Sequence, residues 1–240
     1  MQKDGFLITV MITFERMKKA LLFISLNLSL NLAASAQVNF SISTGGVVLR
    51  NFSPQQKFWA VGQTIRGDIH FALKQSAYAS FDYYTEGRFR NNFTATANSI
   101  LSTPQRMNYT ASGGLIFRQI SLGMKHYFKG GYTAEKNINI YGAAGFGFLF
   151  AKVRNSFSIP IDERLYKNET RQGEGALKKL TFDLGLGGEM PLGGTFFAFA
   201  DARTWLPASS NTSPFLHSQK NVPLPVTATI GLRILFDFSY

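Results

Sequence analysis

The stretch "TATIGLRILFDFSY", residues 227–240, decides how the chain folds. Ala228, Ile230, Leu232, Ile234, Phe236, Phe238 and Tyr240 form one row of alternate residues. Thr227, Thr229, Gly231, Arg233, Asp237 and Ser239 form the other, interrupted only by Leu235. A side-chain period of two marks a strand whose faces meet different surroundings. Final residues ordinarily fray, so a strand kept to residue 240 is expected to have a neighbour on each side, as in a closed sheet.

The period recurs upstream. In "NINIYGAAGFGFLFAK" Ile138, Ile140, Phe146, Phe148 and Phe150 oppose Asn139, Tyr141, Gly145 and Gly147. In "KLTFDLGLGGEM" Leu180, Phe182, Leu184, Leu186 and Met190 oppose Lys179, Thr181, Asp183, Gly185 and Glu189. Ile65, Ile69 and Leu73 oppose Arg66, Asp68 and His70. Phe81, Tyr83 and Phe89 oppose Asp82, Glu86, Arg88 and Arg90. Ile120, Leu122, Met124 and Phe128 oppose Gln119, Ser121 and Lys125. "VNFSISTGGVVLR" opens the series, and "TFFAFADARTWL" mixes Phe197 and Phe199 into the row of Asp201 and Arg203. Eight runs result, each long enough for the roughly 9–11 residues of a tilted membrane strand.

The connectors alternate in length. Short turns are expected near 74–76, at 129–136 and at Pro191-Leu192-Gly193-Gly194. Polar stretches near 51–63, 91–110, 154–176 and 207–224 are expected as long loops. An even strand number with short turns at one end and long loops at the other predicts an all-β fold. It is an eight-stranded antiparallel up-and-down transmembrane β-barrel with short periplasmic turns and long extracellular loops.

Composition agrees. Phe 23, Tyr 9 and Gly 22 are high counts for 240 residues, and 45% hydrophobic content excludes a disordered chain. The absence of cysteine excludes disulfides, thiolate metal sites and thiol nucleophiles. A formal charge of +11 fits phosphate-bearing lipid better than nucleic acid in an exported protein.

Export is read from residues 17–36. Lys18-Lys19 precede an apolar run, Ala20–Leu32, and the small residues Ala34-Ser35-Ala36. These are the three parts of a signal peptide cleaved after Ala36. The apolar run is too short to span ~30 Å of hydrocarbon. Gln37 stands where a lipoprotein carries cysteine, and residues 1–16 are expected to precede the true start at Met17. Residues 37–240 form the barrel domain.

Alternation leaves its sign open, because a soluble lipocalin-like ligand-binding barrel shows the same rows turned inside out. Glycines in the polar row favour a crowded polar interior. So does the charge balance of that row: Arg66, Arg88, Arg90, Lys125, Lys179, Arg203 and Arg233 match Asp68, Asp82, Glu86, Asp183, Glu189, Asp201 and Asp237. An enclosed ion-pair network needs that equality.

The leader, "INIYGAAGFGFLF", "FDLGLGGEMPLGG", "FADARTWLP" and "GLRILFDFSY" together resemble the small porin-family outer-membrane barrels of the OmpA and opacity type. The resemblance implies a bacterial outer-membrane location. It also implies that the last strand is read by the barrel-assembly machinery through Phe238 and Tyr240.

Eight strands enclose an interior that side chains fill, so function is expected in the loops and at the lipid surface. The expected role is structural or surface-interacting, with lipopolysaccharide and other membrane lipids as contacts; the sequence names no loop ligand. A narrow low-conductance channel or a lipid A-modifying enzyme is the alternative. Catalysis needs a serine, a histidine and a carboxylate in mutual reach. His126 lies on the lipid row without a nearby serine, His70 lies beside Asp68, and His217-Ser218 are loop neighbours, so no catalytic residue is assigned. No metal or cofactor site is assigned either: Asp162-Glu163 sits among basic residues, and "GAAGFG" and "GLGG" lie inside strands. Trp59, Trp205 and Tyr240 are expected at the membrane interfaces.

Overall fold

The computed structural model describes residues 38–52, 57–133, 137–168, 170–208, 214–215 and 225–236. The leader, residues 1–16, Asp237, Phe238, Tyr240 and His217-Ser218 lie outside the described residues.

Ten strands follow in order: β1 Asn39–Asn51, β2 Phe58–Ala72, β3 Gln75–Tyr84, β4 Gly87–Ala97, β5 Arg106–Lys129, β6 Asn139–Phe157, β7 Tyr166–Lys167, β8 Gly173–Gly193, β9 Phe196–Pro207 and β10 Pro225–Phe236. Every pairing is antiparallel, and each stave pairs with the next from β1 through β2, β3, β5, β6, β8, β9 and β10. β10 returns to β1 along Phe40↔Phe236 to Asn51↔Pro225, which closes a ring of eight staves. β3 and β4 share one stave against β5, and β7 rests on the far edge of β4. Closure leaves no unpaired edge in the ring, a requirement for strands in hydrocarbon.

The alternation turns its apolar row outward. Ile42, Val61, Ile65, Ile69, Phe81, Ile120, Leu122, Met124, Phe146, Phe148, Leu184, Leu186, Ile230 and Leu232 are all exposed. A continuous apolar belt of that extent is unsuited to water and suits a bilayer. The opposite row is buried and polar, so the soluble lipocalin-like arrangement is excluded.

One register slip corrects the sequence reading. β3 ends at Tyr84 and β4 begins at Gly87, with Thr85 and Glu86 between them. Thr85 leaves the ladder and donates both its N–H (2.7 Å) and its hydroxyl (2.9 Å) to the Val61 carbonyl. Tyr84 and Gly87 are both buried although an odd number of steps separates them, so the period changes phase. Beyond the break Phe89 points inward, whereas Arg88 and Arg90 point outward with Glu86. Gly87 permits the slip, since a side chain there would meet the Phe58 ring. Glu86, Arg88 and Arg90 are therefore not interior residues.

The long connectors are also shorter than expected. β5 runs 24 residues, β6 runs 19 and β8 runs 21, beyond the ~9–11 that span a bilayer. The surplus lies at the long-loop end. There Ala95, Tyr109, Ala111 and Tyr166 are buried among Phe93, Met107, Phe157, Ile159 and Ile161, a small second core outside the ring. β-bulges cluster at the opposite, short-turn end, at His70/Ala72, Tyr127/Lys129 and Pro191/Gly193. Gly193 (φ 124°) and Gly194 (φ 56°) make the β8–β9 turn in a conformation that side-chained residues rarely adopt.

Candidate functional site

Ten residues of the expected ion-pair row lie inside the ring: Arg66, Asp68, Asp82, Lys125, Lys179, Asp183, Glu189, Asp201, Arg203 and Arg233 are all buried. Among the described residues five are basic and five acidic, with Glu86, Arg88 and Arg90 outside the ring and Asp237 beyond the described residues. Charge balance matters because an unpaired ion in such an interior costs several kcal/mol, roughly 3–5 when one partner of a pair is removed.

Two carboxylates gather the cations. Glu189 on β8 meets Lys125 on β5 and Arg233 on β10 (3.0 Å), and accepts a hydrogen bond from the Tyr127 hydroxyl (3.0 Å). Asp201 on β9 meets Arg66 on β2 and Arg203 (3.4 Å), and accepts from Tyr141 (3.1 Å). Aromatic faces complete the cation shells: Arg233 lies 3.9 Å above Phe197, Lys125 lies 4.0 Å above Tyr141, and Arg66 lies 5.3 Å above Phe199. Phe197 and Phe199 thus share a row with charges because they stack on them. Glycine supplies the room; a Cβ on Gly187 would strike the Tyr141 ring and Asp201.

A third carboxylate, Asp183, is satisfied by neutral partners. Ser121, Thr181 (2.7 Å) and Gln119 (3.2 Å) all donate to it. Lys179, one rung above Thr181, is buried with no hydrogen-bond partner on its Nζ among the described residues.

His70 makes contacts that sequence reasoning missed. Its Nε2 lies 2.9 Å from Ser41 Oγ and its Nδ1 lies 2.9 Å from Ser76 Oγ. Tyr132, carried inward by the β5–β6 turn, stacks on the ring at 4.4 Å. Ser76 lies directly across from His70 in register, while Ser41 lies across from Asp68 and reaches the histidine diagonally. Acyl transfer requires a carboxylate on the histidine nitrogen away from the serine. That nitrogen meets the Ser76 hydroxyl, while Asp68 lies 3.5 Å from Ser41 instead. Ser41, Ser76 and His70 are wholly buried. His126 is exposed on the outer row, edge-on to Phe128 at 5.6 Å.

Toward the loop end the interior becomes apolar. Val47, Leu49, Phe58, Tyr84, Phe89, Leu115, Phe117, Leu149, Val153 and Trp205 form one buried cluster, with Phe58 stacked on Phe117 and Tyr84 edge-on to Trp205. Trp205, expected at the membrane interface, is 1% exposed inside the ring. It shares a row with Asp201 and Arg203, so alternation itself places it inward. Trp59 keeps the expected outward position, 62% exposed, with Arg50 over its ring.

Outside the ring, the apolar belt gives way to cations on one wall. Glu86 pairs with Arg88 at 3.1 Å, and Glu174 pairs with Lys152 (3.2 Å) and Arg154 (2.6 Å). Hydrogen bonds from Lys152 and Arg154 hold the Glu174 carboxyl, beyond the apolar belt, below the ordinary carboxylate range.

No protein-family model and no curated protein sequence matches the chain. Solved structures do. Neisserial surface protein A aligns with a TM-score of 0.52 and 11% identity, covering 82% of this chain and 97% of that one. The N-terminal β-barrel domain of Pseudomonas aeruginosa OprF aligns over 84% and 98% of the two chains at 13% identity, TM-score 0.44. Ail, the attachment invasion locus protein of Yersinia pestis, in complex with the heparin analogue sucrose octasulfate, covers 83% of this chain and 97% of that chain at 15% identity, TM-score 0.42. The fold is that of the small eight-stranded outer-membrane β-barrels. Neisserial surface protein A carries that likeness, and at its identity the likeness is one of fold.

Proposed function

We propose that the protein is a non-catalytic barrel of a bacterial outer membrane, delivered by the leader 17–36 and inserted by the barrel-assembly machinery. Its work is done at the loop end, by surface contact with lipid or with a partner outside the cell. The lumen is closed to solutes. The observation carrying this reading is the filling of the interior by two successive tiers, ion pairs around Glu189 and Asp201 and then the Phe58–Trp205 cluster. A stave interior so occupied leaves the outer surface and the extended β4–β5–β6 wall as the parts available to a ligand. Ile100 and Leu101, each 93% exposed at the β4–β5 tip, are held by Gln105, whose Nε2 donates to the carbonyls of Ile100 (2.7 Å) and Ser102 (2.7 Å). An ordered tip presenting apolar side chains suits recognition, because little entropy is lost on contact.

The test is loop replacement. Exchanging residues 98–105, 158–172 and 208–224 for short turns should leave a heat-modifiable barrel in the outer-membrane fraction while abolishing capture of surface partners by intact cells. A trimmed barrel that cannot fold would refute the division of labour between staves and loops.

A further inference from the structure

We propose that the outward wall of β4, β5, β6 and β8, just beyond the apolar belt, binds the phosphorylated head group of an outer-leaflet glycolipid. The proposal rests on the outer-membrane reading above and assigns that surface a ligand.

Three neighbouring staves change from apolar to cationic together. On β5 the outward row passes from Leu122 and Ile120 to Arg118; on β6 from Phe148 and Phe150 to Lys152 and Arg154; on β8 from Leu180 to Lys178. The registers Arg118↔Phe150 and Phe150↔Lys178 place the first cations on one level. Two rungs farther out, Arg88, Gly114, Arg154 and Glu174 lie side by side. Chains whose tails lie along Phe148 and Leu180 carry their head groups at this height. Lipid and cations therefore meet without any movement of the barrel.

The wall is one-sided. It presents Arg88, Arg90, Arg118, Lys152, Arg154 and Lys178 against Glu86 and Glu174. On β1, β2, β9 and β10 the outward rows hold one cation, Arg50, which lies 4.8 Å over Trp59. A belt that served only to anchor the barrel would run around the ring. Glu86 and Glu174 engage Arg88, Lys152 and Arg154, whereas Arg90, Arg118 and Lys178 have no carboxylate partner among the described residues. Arg88, Arg90, Ser112, Arg154 and Ser156 line a groove of about 400 Å³, with the Glu86 carboxylate also on its wall and paired with Arg88. Three guanidinium groups against one carboxylate leave the groove cationic, and a guanidinium fork suits phosphate oxygens. The groove exists because of the phase change after Tyr84, which turns Arg88 and Arg90 outward.

The test uses the folded, processed chain in detergent micelles, titrated with bisphosphorylated lipid A and with the same lipid stripped of phosphate, binding being read by native mass spectrometry. The expected result is a one-to-one complex with the phosphorylated lipid and at least about tenfold weaker binding of the stripped one, since each membrane-proximal cation adds measurably to anionic lipid attraction. Arg90→Gln/Arg118→Gln/Lys178→Gln should weaken the phosphorylated complex to a similar degree, and Arg50→Gln should leave it unchanged. Equal affinity for both lipids overturns the site, as does full affinity in the triple variant. Displacement by millimolar inorganic phosphate overturns it in favour of a free-anion site. Should the triple variant fail to fold, the comparison of two lipids on the unaltered protein still decides. Cell fractionation tests the underlying reading separately: a protein found in the outer membrane that ignores lipid phosphate loses only this site.

Discussion

Glu189 shows what a single interior side chain does. It sits at the meeting point of Lys125, Arg233 and the Tyr127 hydroxyl, all buried. Glu189→Ala would leave two cations enclosed with one counter-ion fewer, and an uncompensated buried charge costs about 3–5 kcal/mol. Urea unfolding in lipid vesicles should show that loss, with partial recovery in Glu189→Ala/Lys125→Met, which removes one orphaned charge. Sequence alternation identified Glu189, Lys125 and Arg233 as interior residues, but not their grouping. Lys125 and Glu189 are on β5 and β8, which do not pair directly, and their meeting depends on the curvature of the closed ring.

At the scale of the strand, the phase change between β3 and β4 is the feature with most consequence. A cysteine-free chain allows a direct check. Single cysteines at 88 and 90 should react with a membrane-impermeant maleimide in intact cells, and those at 82 and 89 should not. Reaction at 89 in place of 88 would restore an unbroken alternation and take Arg88 and Arg90 off the outward basic wall. The orientation of the rows has its own test: Leu184→Arg, on the exposed face of β8, should destabilise the barrel in bilayers by about 2–4 kcal/mol if near the membrane midplane. Alternation was legible on seven staves because packing on both faces enforces the period. On the eighth it failed, because a carbonyl–threonine contact at Val61 and the space left by Gly87 do not show in apolar periodicity.

For the whole molecule, the two interior tiers predict electrical silence. Planar bilayers containing the folded protein should show no resolved conductance steps. Trp205→Ala should remain closed too, because the ion-pair tier lies below the apolar cluster. Well-resolved steady openings of the unaltered barrel would contradict the filled interior. The loop end divides differently from the reading of composition. Stretches rich in Asn, Ser and Thr were expected as loops, yet much of them continues as β4, β5, β6 and β8. Such residues pair as strands when Tyr109, Tyr166 and Phe157 supply a core beside them.

The order of apolar and polar residues alone determined the antiparallel staves, their number, the alternating connector lengths and the inward placement of ten charged residues, because a period of two cannot satisfy bilayer and lumen in any other register. Closure decided most of the rest. Arg88 and Arg90 face outward because the Thr85–Val61 contact between neighbouring strands shifts the phase. Which carboxylate meets which cation, and which rings Trp205 packs against, follow from distances across the ring, and residues far apart in the chain acquire those distances only when the last stave pairs with the first.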